Sequence, residues 1–140
     1  MNTHGTKQGQ GWGIAILRVV LGIVFLVHGQ QKLFTYGFNG VAGLMGRLGL
    51  PFPMLSAVVV TLVEFLSGLA LIFGFFTRWA AALLAINMLV AIVAVHLRAG
   101  FFLPNGFEYA LTLLAANLAL AFAGSGEAAL DAAFAARKSR

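Results

Sequence analysis

The chain contains no cysteine, three prolines and only four acidic residues among its 140. Without cysteine there is no disulfide framework, no thiolate metal site and no thiol–disulfide chemistry, and the compartment stays open on redox grounds. Charged residues make up 9% of the chain, against about a quarter in an ordinary soluble domain. Hydrophobic residues make up 61%, which points to a bilayer protein and away from a cytosolic globule. The net charge of +5 does not argue for nucleic acid. The basic residues stand singly between apolar runs and cluster only at the C-terminus, so they read as topology signals. No signal peptide is expected, because the polar head is followed by an apolar run long enough to span.

What is present is apolar sequence in four blocks, at 12–34, 54–76, 79–97 and 107–123. Each is near the length of a membrane helix, the fourth at the short end. Each must be helical, because a lone strand cannot satisfy its backbone in lipid. Trp12, Phe34, Tyr36, Phe76, Trp79, Phe101 and Tyr109 fall near block ends, where interfacial aromatics belong. The expectation is an all-α, single-domain, integral membrane protein, a four-helix transmembrane bundle. Residues 1–11 are expected to be a disordered head and 124–140 a cytoplasmic tail, a short helix or frayed end with no role beyond anchoring.

The connections differ. Thr77-Arg78 is short enough to force a tight hairpin, with Thr77 as N-cap. Between the first two blocks Val41, Leu44, Met45 and Leu48 recur at helical spacing. Asn39 is placed to start that helix and Pro51 to end it, giving an interfacial helix over the bundle. Four spans put both termini on one side, with Lys7, Arg78, Arg137, Lys138 and Arg140; Lys32, Arg47 and Arg98 fall on the other. The positive-inside rule makes the termini cytoplasmic.

Polar side chains inside the apolar blocks cost free energy in hydrocarbon and need a reason. At helical rise His28 lies about 24 Å above the terminal face, Lys32 about 30 Å, Glu64 about 20 Å, His96 about 27 Å and Glu108 about 24 Å. With Gln31 they form one layer drawn from all four helices. His28 and Lys32 share a helical face. Gly22 and Gly29 lie on the same side and would admit a close neighbour. Asn87, nine residues before His96, falls about half a turn out of phase with it, as does Asn117 with Glu108; neither joins the layer on this count.

Several members have plainer readings. Asn105 and Glu108 fit a capping box. Lys32 near a helix end suits snorkelling, as does Arg18 toward the opposite face. His28 and His96 suit structural hydrogen bonding. Glu64 resists such a reading, because it sits in mid-span, where a lone carboxylate costs a few kcal/mol. No His-x-x-His or Glu-x-x-His pair lies on one helix, so a metal site is not expected. Ionisable groups in an apolar shell at the mouth of a bundle suit a ligand pocket or proton relay. A quinone or similar aromatic carbonyl compound fits that chemistry.

These elements together resemble the DoxX family of small membrane proteins. The likeness rests on Arg18, Gly22, Phe25 and His28-Gly29-x-Gln31-Lys32, then Glu64 with Gly68, and Gly74 before Thr77-Arg78. It continues through His96 before Gly100-Phe101-Phe102, Asn105-Gly106-x-Glu108, Gly124-x-Gly126 and Leu130-Asp131. The resemblance implies a four-helix protein of the bacterial inner membrane. It implies links to quinone chemistry, oxidoreductase complexes and oxidative-stress defence. The expected function is redox-linked binding of a quinone-like molecule on the non-cytoplasmic side. Glu64 and Glu108 hold or relay protons, His28, Lys32 and His96 meet the carbonyl oxygen, and Gln31, Phe25 and Asn105 complete the wall. An oxidoreductase partner protein and a homo-oligomer are compatible with this. The alternative is a non-enzymatic membrane component, a small-solute transporter or a scaffold subunit.

Overall fold

The computed structural model describes residues 3–138. Helix α1 (Thr3–Gln30) already includes most of the polar head. The stretch expected to be disordered is helical from Thr3, because extending a nucleated helix costs far less than starting one; Met1 and Asn2 lie outside the described residues. Past Gln30 the chain widens into a π-helical turn (Gln31–Tyr36) and breaks at Gly37, φ 64°. There α2 (Gly37–Arg47) begins, two residues before the expected Asn39 start and without a side-chain cap. α3 (Pro53–Phe73) ends where Gly74 adopts a left-handed conformation. α4 (Thr77–Ala91) continues as a second π-helical turn (Ile92–His96) and a short 3-10 turn (Leu97–Ala99). α5 is Glu108–Ala123 and α6 is Leu130–Lys138.

Gly5–Arg47, Pro53–Phe73 and Thr77–Ala99 are long and apolar enough to cross a membrane. α5, with 16 residues, reaches about 24 Å at helical rise and completes a helical membrane bundle as its shortest member. Exposed side chains such as Ile16, Leu66, Ile86 and Phe122 cover its outside, as expected of a protein whose solvent is lipid.

Lipid tails are as apolar as leucine, so helices in a bilayer associate through close packing more than through burial. α1 and α3 achieve this with glycine. A Cβ on Gly29 would stand 2.5 Å from the Phe65 nitrogen, and one on Gly68 would stand 2.5 Å from the Leu26 nitrogen. The two backbones are therefore in contact, as the glycines on the His28 side of α1 suggested. α4 packs mainly on α5. Phe25, Leu71, Leu84, Met88, Leu113 and Leu120 form the shared core. α2 lies against α3, with Val41 and Met45 on Ala57.

The end of the bundle that holds the termini is tied by two charged residues. Arg18 is 1% exposed and does not snorkel to the surface. Its Nη1 donates to the carbonyls of Leu71 (2.9 Å) and Ile72 (3.2 Å), in the last turn of α3. Its Nη2 donates to those of Glu127 (3.3 Å) and Ala128 (3.0 Å), ahead of α6. A cation is favoured there, since the last carbonyls of a helix carry its negative pole. The Asp131 carboxylate accepts from the backbone nitrogens of Phe76 (2.8 Å) and Thr77 (2.9 Å) at the start of α4. The cap of α4 thus comes from a distant aspartate; the Thr77 hydroxyl is buried with no hydrogen-bond partner. The tail is more than an anchor, because Asp131 holds the turn between α3 and α4 at Gly74, Phe76 and Thr77.

Candidate functional site

At the opposite, distal end the close α1–α3 seam brings two charges face to face. Lys32, in the π-helical turn after α1, donates from Nζ to Glu64 Oε2 at 2.5 Å. The other oxygen, Oε1, accepts from Asn87 Nδ2 of α4 at 2.9 Å. Glu64 is 4% exposed. An unpaired carboxylate at that depth would cost a few kcal/mol, and here both oxygens are occupied and the charge is balanced.

This triad forms part of the wall of a cavity of about 530 Å³, within the range of small-ligand sites. The cavity is bounded by the distal parts of α1, α3 and α4, by α2, and by the loop before α5 with the first turns of α5. Apart from the triad, His28, His96 and a few peripheral groups, its walls are apolar, with Phe25, Met45 and Leu113 among them. His28 Nδ1 lies 2.8 Å from the Val24 carbonyl, and His96 Nδ1 lies 2.9 Å from that of Asn105. A carbonyl only accepts, so in both rings Nδ1 carries the hydrogen. In the neutral imidazole Nε2 is then an acceptor. The cavity is thus lined by the Lys32 donor and by two imidazoles, each with Nδ1 on a backbone carbonyl.

His28, Lys32, Glu64, His96 and Phe25 line this one cavity. The other expected members do not. Gln31 is exposed and lies outside the lining, because Lys32 and not its neighbour turns inward at the π-helical turn. Glu108 is also outside it: its Oε1 accepts from the Leu103 nitrogen at 2.7 Å, bracing the loop. The capping box does not form, since α5 starts at Glu108 itself, after Phe107, with no side-chain cap. The loop preceding it is held by its own backbone, Phe107 N to Gly100 O (3.0 Å) and Glu108 N to Phe101 O (3.0 Å). Asn105 contributes only its carbonyl, to His96.

Asn87 is the member that helical phasing missed. The half-turn offset from His96 assumes a regular α-helix, but the chain between them widens at Ile92–His96. A π-helical turn rotates less per residue, so both side chains reach the cavity. Asn117 donates to the Leu113 carbonyl of its own helix at 2.8 Å and is fully buried. Among the described residues no group of three His, Cys, Asp or Glu side chains is placed to hold a metal ion.

Comparison with known proteins agrees with the architecture. The family model DoxX matches residues 13–97. The chain is 39% identical over 119 residues to the Bacillus subtilis protein named "Putative oxidoreductase CatD", covering 85% of this chain and 84% of that one. It is 31% identical over 124 residues to the Escherichia coli inner membrane protein YphA, covering 84% and 87%. A second Escherichia coli inner membrane protein, YqjF, is 31% identical over 131 residues, covering 89% and 94%. No solved structure matches the chain.

Proposed function

The chain belongs to the DoxX family of membrane proteins, and on that premise we propose that it binds a small quinone-like molecule in the distal cavity as part of redox chemistry in the membrane. The observation that carries the reading is the Lys32–Glu64–Asn87 triad in the wall of an otherwise largely apolar cavity. Glu64, itself fixed by Asn87, holds the ammonium of Lys32 at the cavity wall, where it donates to a ligand carbonyl oxygen. The Nε2 atoms of His28 and His96 accept from a ligand hydroxyl, so the site suits a ring that carries oxygen as carbonyl in one state and hydroxyl in another. Phe25 packs beside the ring. A quinone bound there would supply the two-electron chemistry; the residues of this chain orient it, exclude water and exchange hydrogen bonds with its oxygens. Glu108, turned into the loop, supports the site without reaching the ligand.

The name of the Bacillus subtilis relative refers to an oxidoreductase, and those of the Escherichia coli relatives to the inner membrane. We place this chain in the inner membrane with both termini cytoplasmic, the distal cavity on the other side, and an oxidoreductase partner as electron source. The test is thermal stability of the purified protein in detergent with a short-chain benzoquinone. Saturable stabilisation, expected by mass action at ligand concentrations above the dissociation constant, and its loss in Lys32→Met, support the reading. Absence of any saturable shift in the wild-type protein overturns it.

A further inference from the structure

We infer that the distal cavity is loaded from the bilayer, through a lateral mouth between α3 and α4, and that its ligand carries an alkyl tail which remains in that mouth. The inference rests on the proposed reading of the triad as the site for the ligand's oxygen-bearing head. Val59 of α3 and Leu83, Ile86 and Val90 of α4 line the cavity, and each is about half exposed, Ile86 at 60%. A side chain that walls a cavity and is still exposed stands on its open rim. Leu44 of α2, and Leu103 and Tyr109 around the start of α5, do the same at the distal end; the four named here are aliphatic, lie deeper in the spans and come from the two helices that flank one seam.

Depth decides what the mouth opens onto. Leu83, Ile86 and Val90 lie within the apolar stretch Thr77–Ala99, about 9, 14 and 20 Å along the helix from Thr77. The hydrocarbon layer is about 30 Å thick, so the rim faces acyl chains rather than headgroups or water. The seam is looser than those on either side of it: α3 is committed to α1 by glycine contact and α4 packs mainly on α5. Across it Asn87 donates a side-chain hydrogen bond to Glu64, at the inner wall of the cavity. A head group held by Lys32 and the histidines would therefore leave its apolar end pointing along Val59, Ile86 and Val90 toward lipid. A tailless ligand would leave that part of the cavity unfilled.

The experiment compares two probes on the purified protein in one detergent: a dimethoxy-methyl-benzoquinone without a side chain, and the same ring with a decyl chain. The decyl probe is expected to bind about tenfold or more tightly, the gain from burying two or three methylenes. Partition into the micelle also favours the tail, so rim variants decide the question. Ile86→Trp, and Val59→Trp from the opposite side, are expected to remove most of the decyl advantage while leaving the tailless probe unchanged. Leu89→Trp, exposed on α4 but outside the cavity lining, is expected to alter neither. Melting temperatures close to wild type establish that each variant is folded. A decyl advantage that survives both rim variants, or equal affinity of the two probes, overturns the mouth while leaving the head site intact. Failure of the tailless probe to bind the wild-type protein removes the head site, and this inference with it.

Discussion

Lys32 Nζ and Glu64 Oε2 stand 2.5 Å apart because the two helices that carry them are in backbone contact at Gly29 and Gly68. The ion pair is thus a consequence of the glycine seam. A bulkier residue at either glycine would push the helices apart and part the charges.

That dependence can be measured. Gly68→Leu is expected to lower stability by about 1–3 kcal/mol or more, the range for overpacking a tight interface. The same change at Gly13, where a Cβ meets nothing within 4 Å, is expected to be nearly neutral. Reversible unfolding in mixed micelles reads both.

Breaking the pair from one side has a different signature. Glu64→Gln leaves the Lys32 ammonium beside an amide. Removing one partner of a fully buried pair costs about 3–5 kcal/mol, but the Lys32 side chain is 22% exposed, so a loss of about 1–3 kcal/mol is expected. Adding Lys32→Met should recover much of it, giving a clear coupling energy in the double-mutant cycle.

The distal pair was legible in part: a carboxylate in mid-span demands a cation, and Lys32 was counted into the same polar layer as Glu64, though about 10 Å higher by helical rise. The glycine seam was legible for the same kind of reason, since small residues at helical spacing imply close approach. Asn87 was not, because regular phasing was carried through a stretch that widens at Ile92–His96. Glu108 was misjudged through its motif: Asn105 and Glu108 have capping-box spacing, but the loop's own backbone bonds start the helix at Glu108. Arg18 and Asp131 act on backbone groups far away in sequence, Arg18 on carbonyls more than fifty residues distant. Composition and periodicity carry no signal for partners of that kind.

The tail's role follows from those contacts. Asp131→Ala removes the acceptor for the backbone nitrogens of Phe76 and Thr77, at the entry to α4, and is expected to cost about 1–2 kcal/mol, the upper range for an N-cap. The loss should appear as faster hydrogen exchange at the start of α4, with the distal cavity unaffected.

Photoaffinity mapping with an azido-benzoquinone on the purified protein in detergent tests the central claim most directly. The account predicts covalent adducts on the cavity-facing stretches of α1 and α4, between Val24 and Lys32 and between Ile86 and His96. Excess unlabelled quinone should compete them away, and Lys32→Met should diminish them. Adducts spread over the lipid-facing surface, uncompeted and unchanged in Lys32→Met, would contradict it.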